Sequence, residues 1–491
     1  MQKLNRGLLF TEADIEYSSG IDVPLDLKLD MLLPEGTEAF LRARPTKEGL
    51  SKRREFFTKI LSDRENAVSR FRRLTELLEG AKEAYEALES AVCENAKYYI
   101  FAEFTARMIA AFRVASEKSD YGELYESFAT HFETALATAE LTTIANRLEA
   151  VKEAKEKIGS LDLNADGDKI KVTRERIPTM REKVLTCIEK YGIKTEPRES
   201  RTPAIQKSII DAAATLYPAE FGVFTEFYRD FANSFDVSVF DCIPQLSLTI
   251  GIIELVEKAE KAGVPYCFPR LSEGKHIKLY DVYDIALLLK EGTKIVPNDA
   301  IFTEEEPFFY LTGANGGGKT TYLRAIGNTA LLFSFGAPVF CRGGECCLLD
   351  SIHTHFPKDE RFEGSGRFAD EQKRVDEILK DTVDSERHGK SLILLNETYS
   401  TTNEEKATVC TSELARRLHA SGNFGLYITH QHGVDEAVVP FLGVLVDEQD
   451  RNRRTYRIER RRLKNRSFAA DILAKYGITA EELSELLRRG E

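Results

Sequence analysis

The chain has 491 residues, 42% of them hydrophobic and 30% charged, with a formal net charge of −12. That length predicts about two to four domains, and the composition is ordinary for a globular protein. No apolar run approaches the roughly 20 residues of a bilayer span, so a membrane function is not expected. The acidic balance also excludes adhesion to nucleic acid over the whole surface, while leaving room for a local basic stripe.

The amino terminus, Met1 to Glu12, meets an acid before any apolar core develops and does not read as a secretory signal. The eight scattered cysteines then read as reduced thiols of a cytoplasmic protein. From about Glu48 to Gly159 the chain is rich in Ala, Glu, Lys, Leu and Arg. Leu74, Leu77, Leu78, Ala81, Tyr85, Leu88 and Val92 recur there at three- and four-residue steps. This is the pattern of long amphipathic helices whose stripes form a core or a coiled-coil seam. Asp162 to Asp168 resembles the start of a calcium loop, but Thr173 stands at the twelfth position, where a bidentate glutamate belongs. Leu161, Leu163, Ile170 and Val172 alternate about Asp166-Gly167 and favour a β-hairpin, with calcium as the minor alternative. Glu196 to Pro203 is polar and bracketed by prolines, and reads as a link between helical blocks.

Further along, Phe308-Phe309-Tyr310-Leu311 has strand character and Tyr322-Leu323-Arg324-Ala325-Ile326 has helical spacing. Between them lies Thr312-Gly313-Ala314-Asn315-Gly316-Gly317-Gly318-Lys319-Thr320-Thr321. A strand, a glycine-rich turn and Lys-Thr at the start of a helix make a phosphate loop. Glycines let successive N–H groups converge on a phosphate, Lys319 adds a cation for the β/γ oxygens, and the Thr320 hydroxyl is placed for magnesium. Ser391-Leu392-Ile393-Leu394-Leu395-Asn396-Glu397 is a second buried-looking strand with a polar end, and Gly425-Leu426-Tyr427-Ile428-Thr429-His430 is a third.

With Asp241-Cys242-Ile243-Pro244-Gln245-Leu246-Ser247-Leu248, Tyr266-Cys267-Phe268-Pro269 and Ile295-Val296-Pro297-Asn298-Asp299 ahead of the loop, the order of motifs resembles the MutS family over about residues 235–480. That family's loop usually reads Thr-Gly-Pro-Asn-Met-Gly-Gly-Lys-Ser-Thr, from which Ala314, Gly316 and Thr320 depart. The resemblance implies an α/β P-loop NTPase domain of the ABC type, preceded by a mostly α-helical core and lever region. It implies ATP and magnesium as ligands, with Gly313 through Thr321 holding the nucleotide and Thr320 and Asn396 holding the metal. Glu397 falls at the family's catalytic carboxylate, and His430 at a γ-phosphate sensor. Asn396 replaces the usual aspartate, keeping an acceptor oxygen but losing its charge. Ser365, in Gly364-Ser365-Gly366-Arg367, is aligned with a signature serine presented to the partner's nucleotide. A plain flexible turn is the other reading there.

The division so expected is 1–47 as an amino-terminal segment, 48–270 as the helical region, 271–465 as the ATPase domain, and 466–491 as a helical tail for dimer contacts. The implied assembly is a homodimer with composite ATP sites. The implied function is a DNA-associated ATPase of repair or recombination that clamps duplex or branched DNA, with no mismatch-reading domain evident. An ATP-driven protein switch without DNA affinity is the alternative. A transporter-type ABC ATPase would carry a Leu-Ser-Gly-Gly-Gln signature that is not seen. Family architecture would place the DNA surface on the helical arms, where Lys52-Arg53-Arg54 and Arg70-Phe71-Arg72-Arg73 supply charge; cover of a helix surface is the equal alternative. Cys341, Cys346, Cys347, His353 and His355 lack paired zinc knuckles and fall on strands. The basic run Arg451–Arg466, where Tyr456 and Ile458 alternate with arginines, reads as a half-exposed strand with a solvated face, a grip on phosphates being the alternative.

Overall fold

A computed structural model describes residues 7–10, 18–20, 22–158, 162–166, 169–173, 203–290, 295–356, 367–384, 390–399, 403–431, 433–434, 437–446 and 454–460. The chain divides into two compact units. One comprises Met1–Leu9 and Asp63–Ser247, the other Phe10–Ser62 and Leu248–Glu491. The first helices, α1 (Val23–Asp26) and α2 (Lys47–Ser62), belong to the second unit.

The first unit is helical: α3 (Arg64–Glu89), α4 (Glu94–Ala115), α5 (Glu123–Leu136), α6 (Ala139–Ile158), α7 (Pro203–Leu216) and α8 (Pro218–Phe231). The expected stripe on α3 is the buried one, since Leu74, Leu78, Ala81 and Leu88 turn inward. Val92 departs from it, because the helix ends at Glu89. α4 packs against α3, α5 and α8 through aromatic residues. Phe101 lies against Phe104, Phe227 and Tyr228, and Phe112 meets the edge of Phe132 at 4.9 Å. Offset and edge contacts of this kind add to the area term of burial. Pro218 at the first turn of α8 breaks the run from α7 without costing a hydrogen bond. Between α6 and α7, β1 (Asp162–Asp166) and β2 (Lys169–Thr173) pair antiparallel, with Asp166 opposite Lys169. This is the backbone of the hairpin expected from the alternation. Of the proline-bracketed stretch, all but Pro203 lies outside the described residues.

α9 (Cys242–Lys261) follows. The run Val237–Lys261 is long and apolar enough to cross a membrane by length and composition, which corrects the expectation that no run approaches a span; 61% of its apolar window is buried. Leu246, Leu248, Ile252, Ile253 and Val256 are all covered, as in a core helix.

The second unit contains two sheets. The smaller has the order β3-β7-β4-β5, from β3 (Arg270–Leu271), β4 (Ile277–Val282), β5 (Asn298–Phe302) and β7 (Gly343–Cys346). The larger has six strands in the order β12-β11-β6-β10-β9-β8. These are β6 (Phe308–Thr312), β8 (Leu349–His355), β9 (Lys390–Asn396), β10 (Phe424–Ile428), β11 (Phe441–Val446) and β12 (Arg454–Glu459). All its pairings are parallel except β11 with β12. Parallel strands covered on both faces read as continuous apolar runs, and β6 and β10 are buried at every position.

Alternate residues serve alternate faces. Phe308, Tyr310, Ile393, Leu395 and Tyr427 join a core with residues of α11 (Arg367–Thr382) and α12 (Glu404–Ala420). The opposite face carries α10 (Lys319–Phe335), which is buried almost throughout. A Cβ on its Gly327 would stand 2.5 Å from Leu27 and 2.9 Å from Leu394, so the helix lies close against the sheet.

The basic cluster Lys52-Arg53-Arg54 is not a free patch. Arg53 is 1% exposed; its Nε donates to the Phe335 carbonyl at 2.5 Å, and its guanidinium lies over the Phe335 ring. Arg54 donates to the carbonyls of Phe268 and Pro269, and Lys52 pairs with Glu48. These arginines hold the second unit together, which corrects their reading as a nucleic-acid contact. On α3, Phe71 is buried and Arg70 is engaged by Ser119 and Tyr125, while Arg72 and Arg73 are exposed.

Candidate functional site

The register of the six-stranded sheet brings three strand ends level. Leu311 of β6 lies opposite Ile428 of β10, and Ile428 lies opposite Asn396 of β9. The residues that follow, Thr312, Thr429 and Glu397, therefore leave the sheet at one edge, the carboxyl end of parallel strands where ligands gather.

From Thr312 the chain curls through the glycine-rich turn into α10. Gly313 has φ 141°, and a Cβ there would stand 2.8 Å from Val444 Cβ. Gly318 has φ 95° and is the residue before the helix, against the Tyr456 ring. Both positions combine a left-handed conformation with a close neighbour, which glycine alone tolerates. The Lys319 ammonium folds back over the loop, donating to the carbonyl of Gly313 at 2.9 Å and of Ala314 at 3.3 Å, and to Asn315 Oδ1 at 3.4 Å. Burial pushes its pKa down to about 8, against the pull of the Glu397 carboxylate. Asn315 and Gly316 are exposed at the tip, and Thr320 and Thr321 are half-buried in the first turn of the helix.

Beyond β9, Glu397 has φ 52°, an uncommon left-handed conformation for a residue with a side chain. Its N–H donates to Ile428 O at 3.0 Å, and its Oε1 lies 2.9 Å from His430 Nε2. That hydrogen bond holds the carboxyl below its usual range; burial opposes the shift, and the charges of His430 and Lys319 add to it. The next residue is held on two sides. The buried Tyr427 hydroxyl donates to Thr398 O at 3.0 Å, and Thr398 Oγ1 lies 3.2 Å from His355 Nδ1. Tyr399, one further on, also has a positive φ, 66°. The turn that aims Glu397 is thus strained locally and fixed from both sides.

Asn396 is buried, and its Oδ1 makes no hydrogen bond among the described residues; the same is true of Thr312 Oγ1. A buried acceptor without a partner is costly. Together with the Thr320 hydroxyl it is a donor set of the hard-oxygen kind that magnesium takes.

Beside the loop opens a cavity of about 380 Å³, lined by Val296, Asn298, Gly318, Thr321, Tyr322 and Tyr456 among others. Asn298 builds its wall. Its Nδ2 donates to Tyr456 O at 3.0 Å, and its Oδ1 accepts from Ile458 N at 2.8 Å. The Tyr322 hydroxyl closes the floor by donating to Asp299 O at 2.6 Å.

Gly313 to Thr321, Asn396, Glu397 and His430 are therefore gathered at one sheet edge. Ser365 lies outside the described residues, as do the tail 466–491 and all of the basic run except Arg454–Arg460. The described part of that run is the edge strand β12, and its Tyr456 faces the cavity. Cys346 lies on the smaller sheet, while His353 and His355 lie on the larger. Their polar atoms meet Cys347 O, Ser351 and Thr398 respectively. Sequence reasoning missed Thr398, Tyr427 and Asn298 as supports. Asn298 had a signal, a polar residue opening a strand just ahead of the loop; the Tyr427 hydroxyl, inside an apolar strand, had none.

The comparison with known proteins falls on the same edge. Residues 309–465 match the family model for MutS domain V. The chain is 28% identical over 188 residues to DNA mismatch repair protein spellchecker 1 of Drosophila melanogaster, covering 37% of this chain and 20% of that protein. It is 23% identical over 273 residues to DNA mismatch repair protein MutS of Lactobacillus delbrueckii subsp. bulgaricus, covering 55% and 30%. It is 32% identical over 130 residues to DNA mismatch repair protein MSH1, mitochondrial, of Arabidopsis thaliana, covering 26% and 11%. The chain thus spans less than a third of the length of these relatives. The matched segment holds the glycine-rich loop, the Asn396-Glu397 strand end and His430, so the part of the chain that is similar to the MutS family is the part that builds this edge.

Proposed function

We propose that the chain is a magnesium-dependent P-loop ATPase of the MutS type that couples ATP binding and hydrolysis to association with DNA. The observation that carries the reading is the common edge of β6, β9 and β10. It sets Lys319 and Glu397 within electrostatic reach of each other and bonds Glu397 to His430. The loop N–H groups from Ala314 to Thr320 cradle phosphate, and Lys319 leaves its loop carbonyls for the β/γ oxygens. The cavity walled by Asn298 and Tyr456 has the size and the apolar lining of a nucleoside pocket. When bound, magnesium would neutralise phosphate charge; Thr320 and Asn396 are the residues that would hold it. Glu397 is held ionised by His430, which suits it to orient and polarise the attacking water. Phosphate release from ATP by the purified chain, with and without magnesium, tests the assignment; no release in either condition would sink it.

Asn396→Asp restores the missing charge. At an effective dielectric of about 20, a carboxylate beside a cation gains a few kcal/mol, so a magnesium titration of activity should shift to at least about tenfold lower concentration. An unaltered titration would remove Asn396 from the metal's shell.

The working unit we propose is a homodimer in which Ser365 reaches the opposite subunit's nucleotide. Mixed Ser365→Ala and Lys319→Ala subunits should regain about one competent site per heterodimer, as an isologous pair requires. Verified mixed dimers without activity would argue against a shared site.

The DNA part of the proposal rests on the relatives' names and on the exposed Arg72 and Arg73 of α3. The second reading is an ATP-driven switch for a protein partner. It is favoured by the internal use of Arg53 and Arg54 and by the net charge of −12.

A further inference from the structure

Away from the loop, Cys267 and Cys341 lie with their sulfurs 3.4 Å apart, although 74 residues separate them in the chain. The backbone sets the approach. Cys267 forms an isolated antiparallel bridge with Val339, exchanging N–H···O bonds of 2.9 and 3.0 Å. Cys341 lies two residues beyond Val339, in a bend where its own N–H donates back to the Val339 carbonyl at 3.3 Å, and this turn brings its sulfur to Cys267. Cys267 is partly exposed and Cys341 is buried. The next two carbonyls after Cys267, those of Phe268 and Pro269, accept from Arg54, which fixes a guanidinium beside the thiol.

We propose that Cys267 and Cys341 form a reversible dithiol–disulfide pair, with Cys267 as the attacking sulfur and a peroxide as the oxidant. The electrostatics agree with the geometry. Hydrogen bonding from Cys341 lowers the pKa of Cys267; burial opposes this, and the Arg54 charge adds to it. Cys341 is shifted upward by the same hydrogen bond and by burial, so it remains a thiol until needed. The Cys267 thiolate attacks one oxygen of hydrogen peroxide. The O–O bond breaks, giving a sulfenic acid on Cys267 and hydroxide, which takes the proton to become water. Cys341 then attacks the Cys267 sulfur, its proton leaves with the sulfenic oxygen as a second water, and the S–S bond forms. Two thiols lose two hydrogens and one peroxide becomes two waters. The sulfurs need close only from 3.4 Å to about 2.05 Å. The link would tie the approach to β3 to the approach to β7. β3 is otherwise paired at only Arg270 and Leu271, so the bond would pin the edge of the smaller sheet.

Other cysteines provide the controls. Cys346 and Cys347 are buried, and burial raises both; Cys242 is buried and pushed up to about 12. Cys93 and Cys410 are partly exposed and report simple access. The test treats the reduced full chain with hydrogen peroxide, alkylates it and maps its peptides. Expected is a Cys267–Cys341 cross-linked peptide, lighter by two hydrogens and restored by dithiothreitol. In Cys341→Ser, dimedone should trap a sulfenic acid on Cys267, and in Cys267→Ser the Cys341 thiol should survive the same exposure. Because either variant could misfold, the unaltered chain carries an independent reading: at neutral pH, alkylation of Cys267 should outpace that of Cys93 and Cys410 by at least about tenfold. Faster reaction at Cys93 or Cys410, or a disulfide formed only at other cysteines, would overturn the proposal.

Discussion

Glu397→Gln is expected to lower ATP turnover by about 10²–10⁴-fold, the usual contribution of a positioned base, while ATP binding persists. The amide keeps the shape of the carboxylate and can still accept from His430. The backbone of the turn stays fixed by the Ile428 carbonyl, and Thr398 stays held by Tyr427 and His355. What disappears is the charge that polarises water. Stopped-flow phosphate release paired with equilibrium binding of ATP separates the two effects. Unchanged phosphate release would remove Glu397 from the chemistry altogether.

Lys319→Ala should abolish binding instead, raising the dissociation constant for ATP by about 10²-fold or more, since a charged hydrogen bond to phosphate in a buried site is worth about 1.5–3 kcal/mol and the Coulomb attraction adds to it. The ammonium donates to the carbonyls of Gly313 and Ala314, and burial brings its pKa to about 8, below that of a free lysine. The folded form therefore holds fewer protons than the unfolded chain above pH 8. This group's penalty on stability is fully present below that value and is relieved as pH rises through it. Binding of a polyanion restores the proton. ATP binding near pH 9 should accordingly take up protons, and affinity should fall as pH climbs past about 8. Calorimetry in buffers of different ionisation enthalpy reads the uptake. Tight ATP binding by a folded Lys319→Ala chain would contradict the assignment.

The elements that could be read in advance are those whose information is local. The strand-turn-helix around Gly313 to Thr321 is punctuated by glycines that no other residue replaces. The apolar run into Asn396 marks a buried parallel strand, and the alternation about Asp166 and Gly167 makes a hairpin. The sequence itself marks Glu397 and His430 only as polar residues at the ends of buried strands; their roles come from the resemblance to the MutS family. The misjudged features depend on residues distant in sequence. Arg53 looks like surface charge in its own helix, yet it closes the end of α10 through the Phe335 carbonyl. Tyr427 looks like one more core aromatic, yet its hydroxyl holds the turn beside Glu397 through Thr398. Tyr456 alternates with arginines as an edge strand should, and only the pairing of Asn298 with β12 reveals that it walls the cavity. No period in the sequence encodes such contacts.

The proposal that nucleotide at this edge governs DNA association is tested most directly by one titration. Binding of the full chain to duplex, mismatched, branched and single-stranded DNA would be followed by fluorescence anisotropy across a range of salt, with and without ATP. The account predicts binding to duplex or branched DNA that weakens steeply with salt, as counterion release demands. The lifetime of the complex should change with ATP, since a nucleotide acts only through differential affinity for two states. Little preference for a single mismatch is expected. Undetectable binding to every DNA form at low salt, by a chain that is hydrolysing ATP, would contradict the account and leave the protein-switch reading in its place.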